Sequence, residues 1–204
     1  EKLPLQLLPL SLPPDTQYGG TVSAEATVRG APGAAWTAEA GLVFVDAEFS
    51  YRAPSGRTEL VKVGNGRAEL RAAPEFYSAG IGLATVNGSF VAGSAQIPRT
   101  DGPLAESPLT GDVSLSTREL GWLPIFLPDV DRFAGRVESR LQLGGTLGAP
   151  QLQGYVTFAD GEIDVYRTNL LLRDVNARLD FAGDALALDA RAATKGGTAR
   201  ASGR

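Results

Sequence analysis

The chain has 204 residues, 43% of them hydrophobic, and a formal net charge of −4. Cys and His are both absent, which excludes disulfides, zinc frameworks and every catalytic triad that needs an imidazole base. The positive charges are scattered singly, so no basic stripe indicates a nucleic-acid partner. The 25 Gly and 13 Pro residues supply the turns that many short strands need.

The sequence begins at Glu1, contains no Met, and has no apolar run near the roughly 20 residues that span a bilayer. We therefore expect residues 1–204 to form a single elongated β-domain cut from a longer chain, with any signal or anchor of the parent lying elsewhere. Residues 1–14 are rich in Leu, but their four Pro residues forbid a continuous helix. Either an extended edge segment or a frayed end is expected there.

From Gly20 onward, apolar and polar residues alternate, which predicts a strand with one dry face. A Gly-Ala-Pro turn follows, and then a second alternating run. The same strand–turn–strand pattern begins again at Gly135. When Gly20 is aligned with Gly135, Val22 matches Val137. If the turn of the second unit is allowed one extra residue, Leu42 matches Phe158. The sequence thus predicts repeat-like units at about 20–45 and 135–165, in a fold that grows by adding β units.

Four dipeptides with positive-φ residues predict tight hairpin turns, and sequential hairpins give an antiparallel meander. They are Asn65-Gly66, Asn87-Gly88, Asp160-Gly161 and Gly183-Asp184. Around Leu170–Val175 the apolar residues change from even to odd positions, which predicts a bulge or turn near Asp174.

The sequence Ser116-Thr117-Arg118-Glu119 has the form of a helix capping box, with Ser116 as the N-cap. It predicts a short amphipathic helix near residues 116–123 that ends before Pro124. A dense apolar cluster accompanies it, and two interpretations stay open: a cap on the core of the sheet, or a plug or membrane-contacting element. The cluster consists of Leu120, Trp122, Leu123, Ile125, Phe126 and Leu127.

No constellation of residues predicts catalysis, a cofactor or a metal site. Asp160, Glu162 and Asp164 have the spacing of possible calcium ligands, but the Gly and distal Glu of a calcium loop are missing, which favours a solvated strand face. The segment Gly144–Pro150 lacks the Lys-Ser/Thr and the helix of a phosphate-binding loop. We therefore expect a protein that is not an enzyme.

The dry faces allow two architectures, a sandwich of two sheets or one sheet folded into an open U. Many inward positions hold Ala or Gly, which a close-packed core does not tolerate and a ligand groove requires. This favours the all-β, U-shaped antiparallel meander with a hydrophobic concave interior. The predicted lining residues are Val137, Leu141, Leu143, Leu152, Val156, Phe158, Ile163, Val165, Leu179, Phe181, Leu186 and Leu188.

The segment from Leu109 to Arg204 resembles the C-terminal region of the TamB family, the inner-membrane component of the bacterial translocation and assembly module. TamB is grouped with the AsmA-like bridge proteins. The resemblance rests on Gly111–Pro124, on the run Gly144–Gly154, and on the Phe-Ala-Asp-Gly-Glu sequence that begins at Phe158. Residues 1–108 match more loosely, through the first Gly-Ala-Pro unit.

The resemblance implies a β-taco, an extended U-shaped sheet with a continuous hydrophobic interior. It implies a periplasmic region of a protein anchored in the inner membrane of a Gram-negative envelope. The implied function is carriage of phospholipid acyl chains between the membranes in support of outer-membrane biogenesis. A second implied function is a chaperone or scaffold for outer-membrane protein assembly, acting by β-strand augmentation with a BamA-like barrel partner. That partner is TamA-like and binds the parent protein's C-terminus, which we do not expect in this fragment.

Overall fold

The computed structural model of the protein describes residues 2–7, 16–30, 36–52, 56, 58–85, 87–118, 120 and 130–204. Nearly all of these residues lie in one antiparallel sheet of twelve strands. The strands are β1 Lys2–Pro4, β2 Gln17–Arg29, β3 Thr37–Arg52, β4 Thr58–Ala72, β5 Phe76–Ala84, β6 Phe90–Pro98, β7 Thr110–Thr117, β8 Val130–Thr146, β9 Ala149–Val165, β10 Leu170–Gly183, β11 Ala185–Thr194 and β12 Gly197–Gly203. Short 3-10 turns occupy Leu5–Leu7, Leu104–Glu106 and Tyr166–Thr168.

The order of the strands in the sheet is their order in the sequence, and β1 and β12 lie at opposite edges of an open sheet. The all-β antiparallel meander predicted from the alternation is therefore confirmed. Because side chains alternate between the faces of a strand, directly paired residues share a face. The register of the strands consequently decides which side chains form a common surface.

One row of paired residues crosses the whole sheet and contains no charged side chain. It consists of Leu3, Val22, Phe44, Gly66, Leu83, Val91, Leu115, Ser139, Val156, Leu179, Leu188 and Gly203, one from each strand in order. We call the side of the sheet that carries this row the apolar face, and the opposite side the polar face.

Two groups of bulges interrupt the pairing: Asp46 and Gly64 in β3 and β4, and Asp160 and Asp174 in β9 and β10, with φ angles between 50° and 73°. Gly20 of β2 and Gly135 of β8 lie opposite the bulges at Asp46 and Asp160, with φ angles of 110° and 143°, and add no residue to their own strands. A further register shift lies between Val130 and Arg132 of β8. Each bulge adds one residue to its strand, so the residues beyond it exchange faces. Phe158 and Ile163 thus share the apolar face although one number is even and the other odd. The irregularity predicted near Asp174 is confirmed.

Two of the predicted hairpin turns are wrong. Strand β4 continues through Asn65-Gly66, and strand β9 continues through Asp160-Gly161. Residues that favour positive φ suit a bulge as well as a tight turn, and at Gly64 and Asp160 they form bulges. The turns at Asn87-Gly88 and Gly183-Asp184 are confirmed, because each joins two strands that pair with each other.

The start of the predicted helix is also wrong. Ser116 and Thr117 are the last residues of β7, and Ser116 pairs with Glu138 of β8. Val113, Leu115 and Thr117 alternate in the strand pattern, and pairing with strands on both sides outweighs the local capping signal. Residues 119 and 121–123 of the predicted helix lie outside the described residues.

The protein exposes far more surface than a compact protein of its mass. Its accessible surface is 13091 Å², whereas a globular monomer of 21.3 kDa exposes about 9,100 Å². Of the residues that the structure describes, only eight apolar ones are buried: Leu5, Val22, Ala47, Ala73, Leu109, Leu120, Phe158 and Val175. The sheet is therefore held mainly by its ladder hydrogen bonds and by small local cores.

The register between β8 and β9 is testable at a glycine. Gly154 has a φ of 126°, and an added methyl group would overlap the carbonyl oxygen of Arg140 in β8. We expect Gly154→Ala to lower the free energy of unfolding by about 2 kcal/mol, since non-Gly residues are strained at such angles. Urea unfolding followed by circular dichroism measures this loss.

Gly144→Ala is the matched control, because a methyl group at Gly144 in β8 meets open space. It should change the free energy of unfolding by no more than about 0.5 kcal/mol. Equal losses in the two variants would contradict the observed register.

Candidate functional site

All twelve residues predicted to line a groove lie on the apolar face, distributed over β8 to β11. Val137 pairs with Phe158, Leu143 with Leu152, and Ile163 packs in the cluster that contains Phe158. The remaining members pair within the same rows or follow at alternate positions: Leu141, Val156, Val165, Leu179, Phe181, Leu186 and Leu188. The structure therefore brings the whole predicted set together on one surface.

The apolar face extends equally over the N-terminal strands, which sequence reasoning left out of the site. Leu70 of β4 pairs with Ala79 of β5, and Leu83 of β5 pairs with Val91 of β6. The same alternation that identified the C-terminal residues is present in these strands. The frequent Gly residues and the bulges obscured it.

Large parts of this face are uncovered by the chain's own residues. Leu70 is 63% exposed, Ile81 44% and Leu186 44%, although all three lie on the face that carries the apolar rows. Leu179, between Val156 and Leu188, is only half-buried. In a sandwich a second sheet covers such residues, whereas the described residues form a single sheet.

Small residues make this face shallow along β5 to β7. Ala79, Ala95 and Gly111 form one row across the three strands, and Gly93 lies next to them between Ile81 and Val113. With few side-chain atoms standing above the backbone, these positions form a furrow that runs along β6. The alanines singled out in the sequence contribute in the same way in other strands.

Leu5 covers the apolar face near one edge of the sheet. It lies in the first 3-10 turn, is only 2% exposed, and packs against Val22 and the bulge residue Ala47. Phe44 and Tyr18 pack around this core. Residues 2–7 are therefore an ordered part of the sheet edge, as the extended-segment interpretation predicts, and residues 8–15 lie outside the described residues.

Leu120 covers the face in the same way over β8 to β10. It is 2% exposed and forms a core with Phe158 and Val175, next to the second group of bulges. The rings of Phe133 and Phe158 stack there with centroids 4.9 Å apart. Of the apolar cluster predicted as a cap or plug, Leu120 is thus buried on the sheet. Trp122, Leu123, Ile125, Phe126 and Leu127 lie outside the described residues.

The two covered regions are related by a constant spacing in the sequence. Leu5 and Leu120 are 115 residues apart, and so are Tyr18 and Phe133, Gly20 and Gly135, and Val22 and Val137. Leu-x-x-Leu-Pro begins at both leucines. Sequence analysis missed this upstream half of the repeated pattern.

The register also changes the alignment of the following strand. Val22 pairs with Phe44, as Val137 pairs with Phe158, and each Phe precedes its bulged Asp by two residues. Phe44, rather than Leu42, is therefore the counterpart of Phe158.

The polar face carries the ion pairs found among the described residues of the sheet. Arg178 donates two hydrogen bonds to Asp180, of 2.8 Å from Nε and 2.6 Å from a terminal nitrogen, and lies 4.7 Å from the Tyr155 ring centre. The hydrogen bond to Asp180 raises the pKa of the Arg178 guanidinium. Arg71 and Glu39 form another exposed pair at 3.2 Å. Water and salt screen such exposed pairs, so this side is a solvated surface.

Two of the three acidic residues considered as calcium ligands form ion pairs with arginines. Glu162 forms an ion pair with Arg132 at 3.3 Å, and Asp160 forms one with Arg136 at 3.7 Å. Asp160 also occupies the bulge of β9, where its φ is 53°. Within the described ranges, no group of three His, Cys, Asp or Glu residues is placed to hold a metal ion.

A family model described as TamB, N-terminal domain matches residues 1–158, which is more than half of the chain. The chain belongs to the TamB family. No curated protein and no solved structure matches it. The TamB match indicates a role in the translocation and assembly module, association with the TamA-type partner of that module, and a place in the Gram-negative envelope. TamB is not a known enzyme family.

The match does not confirm the placement of this chain in the C-terminal region of TamB. The segment Leu109–Arg204 resembles that region, whereas the matching family model is that of the N-terminal domain. The matched residues also include 1–108, where the resemblance was looser. In the part of the chain that the structure describes, no helix has both the length and the apolar composition of a membrane span.

The contrast between the covered and uncovered parts of the apolar face is measurable by truncation. Leu120→Ala removes a fully buried side chain, so we expect a loss of about 3 kcal/mol in the free energy of unfolding. Leu70→Ala removes the same atoms from an exposed position and should cost no more than about 0.5 kcal/mol. Chemical denaturation of both variants gives the comparison. A loss at Leu70 as large as that at Leu120 would mean that the face is covered there too.

Proposed function

We propose that this chain is a non-enzymatic section of a periplasmic conduit that shields phospholipid acyl chains on its apolar face. It supports outer-membrane biogenesis by giving these chains an apolar path between the inner and outer membranes. The observation that carries the proposal is the uncharged row of residues that crosses all twelve strands while its neighbours, such as Leu70 and Ile81, remain exposed.

The dimensions of the apolar face suit this function. Strands in a sheet are about 4.8 Å apart, so the row from Leu3 to Gly203 extends over about 50 Å. The hydrocarbon core of a bilayer is about 30 Å thick, and one acyl chain occupies about half of that. Several lipids therefore fit side by side along the sheet.

The energetics favour a surface without chemistry or deep pockets. Each CH₂ group taken out of water contributes about 0.8 kcal/mol, and the apolar face offers this gain at every strand. Because the row lacks charges and the furrow along β5 to β7 is lined by small residues, one position differs little from the next. A lipid thus moves along the face without meeting a tight site, while its headgroup stays in water at the strand ends.

A charge placed on the apolar face tests the proposal. Leu179 is half-buried between Val156 and Leu188. We expect Leu179→Arg to remain folded and to lose bound phospholipid, because an acyl chain lying against the guanidinium would remove its water without replacing the lost hydrogen bonds. The protein is purified from a bacterial host, its lipid is quantified by mass spectrometry, and its fold is checked by circular dichroism.

Ala187→Arg is the matched control, since Ala187 precedes Leu188 in β11 and faces the polar side opposite Asp180. It should keep the lipid content of the unchanged protein. The proposal fails if the unchanged protein carries no phospholipid, or if both variants retain the same amount. Unfolding of Leu179→Arg alone would instead indicate a sealed core.

A second function, scaffolding of outer-membrane protein assembly, is favoured by the edge strand β12. All seven residues of Gly197–Gly203 are exposed, and among the described strands β12 pairs only with β11. An exposed edge strand can accept an added strand through backbone hydrogen bonds.

Proline substitution separates the two functions. Ala201→Pro removes a backbone donor from β12 without adding a charge to the apolar face. Under the conduit proposal we expect the phospholipid content to be unchanged. Loss of binding to a client outer-membrane protein, with the lipid content intact, would assign the scaffold function to this edge.

A further inference from the structure

A cation lies where the apolar face meets the end of its strands. The guanidinium carbon of Arg99 is 4.7 Å from the centre of the Trp36 ring and 5.5 Å from the centre of the Tyr77 ring. We call Trp36, Tyr77 and Arg99 the rim cluster. Sequence reasoning did not identify it, because the three residues are far apart in the chain and only the register brings them together.

The register places the rim cluster on the apolar side. Tyr77 pairs with Ala72 on one side and with Ile97 on the other, and Ala72 pairs with Ala38. Arg99 follows Ile97 by two residues and Trp36 precedes Ala38 by two. The cluster therefore continues the apolar rows at their end, beyond the last paired residues of β6 and β3.

Arg99 is held in place, and no acidic side chain among the described residues forms an ion pair with it. Its backbone N–H donates a hydrogen bond of 2.8 Å to the carbonyl oxygen of Glu75. Cation–π contacts with Trp36 and Tyr77 restrict the guanidinium further. Among the ion pairs of the described residues, none involves Arg99. The N–H groups along the edge of its planar guanidinium are thus available to donate to an anion with two oxygens, such as a phosphate.

An apolar furrow begins directly beside this cation. Along β6 the residues that share the face with Arg99 are Ile97, Ala95, Gly93 and Val91. At about 3.3 Å per residue, the distance from Arg99 to Val91 is about 26 Å, which exceeds the roughly 15 Å that one acyl chain occupies in a leaflet. A fixed cation above an apolar furrow matches an anionic headgroup above its acyl chain.

We propose that the rim cluster binds the phosphate of a phospholipid headgroup, with Arg99 as the donor and an acyl chain along β6. Trp36 and Tyr77 position the guanidinium, and their rings occupy the boundary between water and the apolar furrow. The inference rests on the proposed function and adds to it a headgroup preference. It predicts that this section of the conduit distinguishes phosphate-bearing lipids from neutral ones.

The test compares two lipids that differ only in the headgroup. The full 204-residue chain is titrated with phosphatidylglycerol and with diacylglycerol, both carrying the same acyl chains and the same fluorescent label. We expect phosphatidylglycerol to bind about tenfold more tightly, the effect of one good charge-assisted contact. In the Arg99→Gln variant the affinity for phosphatidylglycerol should fall about tenfold, to the level of diacylglycerol. The affinity for diacylglycerol should be unchanged.

Two further variants control for charge and folding. Arg200→Gln makes the same change of charge on the polar face of β12, where Arg200 pairs with Arg191, and should leave both affinities unchanged. Arg99→Lys keeps the charge but loses the planar fork, so its preference for phosphatidylglycerol should be intermediate. Circular dichroism of every variant confirms that the sheet is intact.

The outcomes separate the two proposals. The rim-cluster proposal is overturned if Arg99→Gln leaves the headgroup preference intact or lowers the affinity for both lipids equally. It is also overturned if inorganic phosphate alone binds the unchanged protein as tightly as the lipid does, because the cluster is then a site for free phosphate. If the unchanged protein binds neither lipid, the proposed conduit function itself fails.

Discussion

The fold depends on backbone conformation at the bulges more than on any single contact between side chains. A strand with a bulge exchanges its faces at that point, so the apolar pattern must shift by one residue there as well. In β9 that shift occurs at Asp160, between Phe158 and Ile163. The neighbouring strand β10 shifts at the same level through Asp174, whereas Gly135 of β8 lies opposite the bulge of β9 and adds no residue. Since the shifts in β9 and β10 are aligned, the apolar residues of both strands stay on one face on either side of the bulges.

This arrangement explains why the described residues form two small cores and a broad exposed face. Leu5 and Leu120 cover the face beside the bulges, where Val22 and Phe158 are buried beneath them. Elsewhere the face has no cover among the described residues, and side chains such as Leu70 contact solvent. Exposed apolar surface of this extent marks a binding surface in a soluble protein. The described part of the chain is thus organised to keep a surface open, whereas a compact fold would fill it.

Sequence patterns predicted the faces of the strands well and the connections between them less well. The alternation around Val137 and Leu179 placed the predicted lining residues on one face, because a period of two has a single structural meaning. The hairpin turn predicted at Asp160-Gly161 is wrong because residues with positive φ occur in hairpins and in bulges alike. Pairing with the neighbouring strands decides which of the two forms. The helix start predicted at Ser116 is wrong because a capping box is a local signal, and strand pairing overrides it. The rim contact between Trp36 and Arg99 depends on register, which no local pattern encodes.

The constant spacing between the two covered regions suggests how such a surface is extended. Leu5 and Leu120 precede Gly20 and Gly135 by the same number of residues, and these glycines lie opposite the bulges at Asp46 and Asp160. The strands between them continue the same uncharged row. In a fold where each unit contacts only its neighbours, adding a unit lengthens the surface and leaves its cross-section unchanged. The cost of exposing the apolar face then rises in proportion to length, and under the proposed conduit function the total gain from bound acyl chains rises in the same proportion. A conduit built in this way can be lengthened without changing the contacts between neighbouring units.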